Sequence, residues 1–372
     1  MSKMELLKPF NMKDLKLRNR VVMAPMTRSR AKNPENRVTE VIAEYYRQRS
    51  TAGLIITEGS QISRQGVGYI STPGIYSEAQ VEAWKMVTNA VHKEGGNIFI
   101  QLWHVGRMSH PDFHDGGLPV APSAINANEK SFTREGFKPT PTPKALTKDG
   151  IQGVIRDFKN AAANAVEAGF DGVEIHSSNG YLLHQFFTSC SNIRTDEYGG
   201  SIENRARILF EVLDEMKKVI PENRIGVRLN PSAHGFQGIT ITEDTIPTFE
   251  YIVDKLNEYD LAYLHLSEPY EDVTDVPYAE LQVTKHFRPI YKGILITNKG
   301  YTRETGNKII SDGLADLVAY GTLFIANPDL VKRFQINAPL AEADEDTYYA
   351  TGAEGSENLG EKGLIDYPYY SG

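Results

Sequence analysis

The chain has 372 residues and a formal net charge of −8, from 40 Lys and Arg against 48 Asp and Glu. That length can bury one large core, and the acidic balance argues against nucleic acid or an anionic membrane surface as a general partner. No apolar run approaches the roughly 18 residues of a membrane span, and the first residues lack a signal-peptide pattern. The single cysteine, Cys190, excludes an intrachain disulfide, an iron–sulfur cluster held only by this chain's thiolates, and a zinc site built on several thiolates. The expectation is a cytoplasmic globular protein.

In chain order, apolar β-branched runs alternate with stretches of helical spacing. Strands are expected near residues 21–26, 54–57, 98–102, 172–175, 225–229, 263–266, 294–297 and 317–320. The helical pattern is clearest where Ile151, Val154, Ile155, Phe158, Ala162 and Val166 follow a capping pair read at Asp149 and Gln152, with Gly169 as the stop. Strands that alternate with helices indicate a parallel sheet, and about eight of them close a (β/α)8 TIM barrel. Residues 1–372 therefore read as a single α/β barrel domain. Residues 111–150, rich in Pro, Gly, Thr and charge, read as a long loop excursion after strand three that acts as a lid. The acidic, Gly- and Tyr-rich tail from Ala341 onward is expected to wrap the barrel.

Strands buried in a parallel barrel should be nearly continuous apolar runs. Here they turn polar at their C-terminal ends: Met26-Thr27, Thr57-Glu58-Gly59, Ile100-Gln101, Ile175-His176, Val227-Arg228, Leu266-Ser267-Glu268 and Thr297-Asn298. Barrel enzymes carry their active sites on that face, so the set points to convergent chemistry rather than to solvated loop starts. No glycine fingerprint of a Rossmann dinucleotide site, phosphate-binding P-loop, zinc-protease helix or nucleophile elbow is present. Of the nine histidines, His104, His110 and His114 come nearest to metal spacing, and they do so weakly.

At His176-Ser177-Ser178-Asn179-Gly180-Tyr181-Leu182-Leu183-His184-Gln185-Phe186 the sequence resembles the active-site segment of the Old Yellow Enzyme family. Ser191-Asn192-Ile193-Arg194-Thr195-Asp196-Glu197-Tyr198-Gly199-Gly200-Ser201-Ile202-Glu203-Asn204-Arg205 is similar to the stretch that follows it there. So are Ala24-Pro25-Met26-Thr27-Arg28, Thr57-Glu58-Gly59, Gln101-Leu102-Trp103, Asn327-Pro328-Asp329-Leu330 and Asp366-Tyr367-Pro368. The resemblance runs in order from about Leu7 to Tyr370. It implies a non-covalent FMN, NADH or NADPH as hydride donor, and activated alkenes (enones, maleimides, nitroalkenes) as small-molecule substrates.

The resemblance also implies roles for particular residues. His176 and Asn179 match the family's donor pair for the activating oxygen of the substrate, in its His/Asn version, and such donors act as an oxyanion hole does. Tyr181 matches the residue that protonates the α-carbon, and a phenol with a pKa near 10 stays protonated at neutral pH. Thr27 matches the threonine that binds the flavin C4 carbonyl. Pro25 and Met26, with Ala24, line the ring, and Gly59 permits close backbone approach. Gln101 matches the amide at the pyrimidine edge, and Arg228 the cation near flavin N1 and the C2 carbonyl. Trp103, Tyr69 and Tyr349 match the aromatic walls of the substrate pocket.

The phosphate site departs from the family pattern. Where an arginine usually follows strand eight, the chain reads Tyr320-Gly321-Thr322, while the turn after strand seven reads Asn298-Lys299-Gly300. Gly300, Gly321 and Thr322 can offer backbone N–H groups to a phosphate, and Lys299 is the nearest cation in sequence, unless it is an exposed loop lysine. Three rivals remain. One is the group of larger relatives with added iron–sulfur and dinucleotide domains, which a single cysteine disfavours. The second is a non-redox isomerase or aldolase barrel that has lost its flavin, and the third a flavin-binding or structural protein without turnover; intact His176, Asn179 and Tyr181 argue against both. A monomer or homodimer is expected.

Overall fold

The computed structural model describes residues 4–349 and 360–372. Eight parallel strands form a closed barrel. We label them β1 (Val21–Met23), β2 (Leu54–Gln61), β3 (Ile98–Trp103), β4 (Gly172–His176), β5 (Ile225–Leu229), β6 (Tyr263–Ser267), β7 (Leu295–Asn298) and β8 (Leu317–Tyr320). Each expected strand is present, and β8 pairs with β1 to close the ring. β1 stops at Met23, short of the expected 26, because Ala24 gives its N–H to the Tyr320 carbonyl and Pro25 has none to give. β2 runs on to Gln61 through a register shift between Ile56 and Gly59.

Period-two alternation sorts these strands into two faces. Val173, Ile175, Val227 and Leu264 face the helices, packing with residues such as Phe158, Leu209 and Phe249 in the main core. The inward positions differ by level. Near the floor, Leu54, Ile56, Phe99, Tyr263, Ile296 and Leu317 fill the barrel, with the Phe99 and Tyr263 rings 5.7 Å apart. Phe99 is in register with Gly172, and Tyr263 with Gly226, so glycines on neighbouring strands make room for the rings. Above them the inward residues turn polar: Gln101, Glu174, Arg228 and His265.

The outer helices start where local chemistry satisfies their first N–H groups. Ser77 and Gln80 form a reciprocal capping box for Glu78–Lys93. The helix Lys148–Glu167 is capped by Thr147, whose hydroxyl accepts from Gly150 N–H, and not by the Asp149–Gln152 pair expected from sequence. Both pairs have the right residue types, but Asp149 already lies inside the first turn.

Residues 111–150 are not structureless. They contain a two-stranded pairing of Val120–Ala121 with Lys144–Ala145 and a hairpin of Lys130–Thr133 with Gly136–Pro139. The tail lies against the barrel through buried arginines. Arg28 donates to the Tyr348 and Gly363 carbonyls, Arg30 to Thr347, and Arg49 to Phe324, Ile325 and Leu364. A fork of fixed donors can hold several carbonyls of an irregular segment at once, which a single-point lysine cannot.

The barrel floor yields a stability prediction. A Cβ on Gly172 would stand 2.3 Å from the Phe99 ring and 2.5 Å from the Arg224 carbonyl. Gly172→Ala should therefore lower the urea unfolding free energy by about 1–3 kcal/mol, as overpacking does. Pairing it with Phe99→Leu should recover part of the loss. Additive losses in the double variant would show that the ring is not what the methyl meets.

Candidate active site

The residues named from sequence converge at the C-terminal ends of the barrel strands in two adjoining groups. The first lines a cavity of about 710 Å³ and contains Ala24, Pro25, Met26, Thr27, Arg228 and Lys299, together with Gly300, Gly321, Thr322 and Tyr349. The second is a cluster of rings. Trp103 stacks on Tyr69 at 5.4 Å and on His176 at 6.0 Å, while Tyr181 meets His176 edge-on at 4.9 Å. Register joins the groups, since His176 pairs with Arg228 across β4 and β5.

The His176 ring is oriented by its own turn. Its Nδ1 accepts from the Ser178 N–H at 3.4 Å, which leaves the proton on Nε2. Burial, reinforced by the Arg228 cation, pushes the ring well below the usual histidine range. It is therefore a neutral donor. Asn179 sits in the left-handed region at φ +55°, where asparagine is tolerated. Its Oδ1 accepts from Asn230 Nδ2 at 3.0 Å, and its amide also hydrogen-bonds the Tyr270 hydroxyl.

Tyr181 is 8% exposed. Its phenol oxygen accepts from Gln237 Nε2 at 2.9 Å, and its O–H donates to Tyr69 Oη at 3.2 Å. Burial pushes the phenol up to about 12, against the lowering effect of those two hydrogen bonds. The group is fully protonated at neutral pH, as a proton donor must be.

Below this layer lies a buried polar network. Glu174 is fully buried; one carboxylate oxygen accepts from Gln101 Nε2 at 2.8 Å and the other bonds His265 Nδ1 at 2.8 Å. Burial opposes ionisation of Glu174, but His265, Arg228 and Gln101 outweigh it and hold the carboxyl below its ordinary range. Burial keeps His265 neutral, so its Nδ1–H donates to the carboxylate. One of the two Gln101 amide N–H groups is held by Glu174, which orients the side chain.

These features suit FMN. Arg228 is 4% exposed, its Nε has no partner, and its Nη2 meets neutral oxygens, Tyr270 Oη at 2.7 Å, Ser267 Oγ at 3.3 Å and Asn298 Oδ1 at 3.4 Å. Glu174 balances this cation through space but not by a hydrogen bond, so Arg228 keeps donor capacity for a further electron-rich partner. The cavity extends from there to Gly300, which has open space above its Cα, and to Gly321, where only the Met26 side chain comes within 4 Å. Gly59 has a different reason from the one expected: a Cβ there would strike the Trp103 ring at 2.6 Å. Lys299 takes a left-handed backbone at φ +88°, and its Nζ lies 5.0 Å from the Tyr270 ring. Among the described residues no cluster of His, Cys, Asp or Glu could hold a metal ion, and His104, His110 and His114 do not converge on one.

Sequence reading missed Glu174, His265, Asn230, Gln237 and Tyr270. Glu174 carried a usable signal, since it lies two residues before His176 and so faces the same side of its strand. His265 had the same signal relative to Ser267. Gln237 and Tyr270 sit on loops whose reach nothing local specifies.

A match to the family model described as NADH:flavin oxidoreductase / NADH oxidase spans residues 5–341. The chain is 42% identical to 12-oxophytodienoate reductase 1 of Oryza sativa subsp. japonica over 98% of this chain and 93% of that protein. It superposes with a TM-score of 0.89 and 41% identity on morphinone reductase in complex with tetrahydroNAD, covering 98% of each chain. The old yellow enzyme homologue of Zymomonas mobilis gives 0.90 at 40% identity, covering 98% of this chain and 99% of that one.

Buried neutral histidines make a pH prediction. Burial lowers His104 and His184 to about 3, and His176 well below its usual range. Each is neutral when folded and charged when unfolded below about 6.5. Their contribution is complete above that pH and is lost as pH falls towards 3, by ~1.4 kcal/mol per unit for each group. His184→Asn, which keeps an acceptor for the Gly180 N–H, should flatten the slope of urea stability against pH by about one proton between pH 6.5 and 5. An unchanged slope would mean that His184 is protonated in the folded state.

Proposed function

The chain belongs to the NADH:flavin oxidoreductase / NADH oxidase family and is an FMN-dependent, NAD(P)H-dependent ene reductase; on that premise we propose that Tyr181, His176 and Asn179 are its catalytic residues. The observation that supports this reading is the Tyr181 phenol, protonated and buried edge-on to the neutral His176 ring at 4.9 Å. When bound, FMN accepts hydride from NAD(P)H and passes it to the β-carbon of an activated alkene. His176 Nε2–H and the Asn179 amide bind the carbonyl or nitro oxygen of that alkene and stabilise the charge it gains. Tyr181 Oη–H gives its proton to the α-carbon. Trp103, Tyr69 and Tyr349 wall the substrate space.

Arg228 and Gln101 would hold the flavin's pyrimidine edge, Thr27 its C4 carbonyl, and Ala24, Pro25, Met26 and Gly59 the surrounding ring. Gly300, Gly321 and Thr322 cradle the phosphate with backbone N–H groups, and Lys299 adds charge from the neighbouring turn. Residues 111–150 act as a lid on a single catalytic domain. The contact of Ala127 with the Trp103–Tyr181 cluster supports that placement. No described helix is long and apolar enough to cross a membrane. We read the protein as a cytoplasmic monomer or homodimer, a reading that the one unpaired cysteine supports. A barrel isomerase or aldolase without flavin is the weaker reading, because it leaves Arg228 facing neutral oxygens with no purpose.

The catalytic assignment is tested by Tyr181→Phe. Stopped-flow traces should show flavin reduction by NAD(P)H nearly unchanged and alkene reduction slower by about 10²–10⁴. Equal slowing of both half-reactions would remove Tyr181 from proton donation.

The phosphate assignment is tested by titrating apo-protein with FMN. Lys299→Ala should weaken binding by about 1.5–3 kcal/mol at low salt, the range for a hydrogen bond to a charged group. Thr322→Arg in that background should restore part of it. An unaltered dissociation constant for Lys299→Ala would assign the lysine to its contact with the Tyr270 ring alone.

A further inference from the structure

Tyr181 has a supply problem. Once its proton has gone to carbon, the phenolate must be reprotonated before the next alkene arrives, and the residue is 8% exposed. Two groups bond its oxygen. Gln237 Nε2–H, at 2.9 Å, steadies the phenolate, but an amide does not yield a proton at neutral pH. The other is the Tyr69 hydroxyl, at 3.2 Å.

Tyr69 faces two ways. Its ring stacks on Trp103 at 5.4 Å inside the site. It also lines a second cavity of about 570 Å³ with Ser71, Glu35, Asp112, Asp115 and Arg64. This cavity shares no lining residue with the one at Arg228 and Gly321. Its polar walls suit ordered water, and its carboxylates can exchange protons with solvent. Gln237 Nε2 also reaches Tyr69 Oη, at 3.4 Å, so one amide holds both hydroxyls near each other. Gln237 is itself fixed in a left-handed backbone at φ +52°, against Gly180, a conformation that a bulky residue adopts only when its surroundings enforce it.

We infer that Tyr69 is the proton relay that recharges Tyr181, drawing on water in the second cavity. This rests on Tyr181 being the proton donor to carbon. In the step that uses the proton, Tyr181 O–H breaks and the α-carbon C–H forms. In the recharging step, Tyr69 O–H breaks as a new O–H forms on Tyr181, and a cavity water gives its proton to the Tyr69 oxygen. Each alkene reduced therefore takes one solvent proton, with both electrons supplied by NAD(P)H. Burial pushes the Tyr69 phenol up as well, so the two transfers run together and no charge rests on Tyr69. Gln237 is a positioning residue in this scheme.

The test is a sequential-mixing experiment on holoenzyme carrying Tyr69→Phe, which keeps the stacked ring and removes the hydroxyl. Reduced enzyme is mixed with one equivalent of 2-cyclohexenone, re-reduced with NADH, and mixed at once with a second equivalent. Wild type should show equal first and second turnovers. In the variant the comparison is between its own two turnovers, because the altered pocket wall affects both alike and Tyr181 starts protonated only in the first. The second should be slower by about tenfold or more, the scale on which a missing acid shows, and should recover with delay and with rising imidazole buffer concentration. A structural role for the hydroxyl would slow both turnovers and give no rescue by buffer. Equal first and second turnovers at the shortest delay would overturn the relay. Failure of the Tyr181 assignment is separable, because it appears as an unimpaired first turnover in Tyr181→Phe.

Discussion

Every strand of a closed barrel must send alternate side chains into an interior that water does not reach, and this constraint organises the whole site. Near the floor it is met with rings against glycines, Phe99 over Gly172 and Tyr263 over Gly226. One level higher the inward residues are Gln101, Glu174, Arg228 and His265, and polar groups there must pair with one another or with a ligand. Glu174 takes one hydrogen bond from Gln101 and one from His265, which satisfies both of its oxygens. Arg228 is left with neutral partners and an unpartnered Nε. The imbalance that remains leaves a buried cation at the barrel mouth with donors to spare.

The same pairing fixes directions as well as charges. Glu174 consumes the N–H of Gln101, so the amide cannot flip without stranding a buried carboxylate, a cost of order 1–3 kcal/mol or more. The Ser178 N–H fixes which His176 nitrogen carries the proton. Asn230 does likewise for the Asn179 amide. Side chains held this way have little freedom to rearrange.

Outside the barrel, Arg28, Arg30 and Arg49 bring the tail back over the strand ends. Their donors end on backbone carbonyls from Phe324 to Gly363 and Leu364. Tyr348 and Tyr349 thereby come to line the cavity from a point far along the chain from Thr27 and Arg28. Glu58, the carboxylate beneath these arginines, accepts from the Arg28 N–H, and burial pushes it up to about 7. The tail is thus held by hydrogen bonds to carbonyls more than by ion pairs, so its attachment should depend little on salt.

The amino-acid sequence by itself determined the eight strands, their parallel order and the face that carries the chemistry, because burial on both sides of a parallel strand leaves a local hydrophobic signature. His176, Asn179 and Tyr181 were singled out from the sequence through the motif they form, since they are neighbours in the chain. Only the tertiary structure decided that Gln101 meets Glu174, that Arg228 lacks a carboxylate partner, that Gln237 and Tyr69 both bond Tyr181, and that Gly59 is needed to clear Trp103. It also moved the helix cap from Asp149 to Thr147 and gave residues 111–150 a hairpin of their own. These are relations between strands and loops far apart in sequence. A strand's own residues set which way a side chain points, whereas its partner depends on register with a neighbour and on where a loop returns, and neither is written in any local pattern.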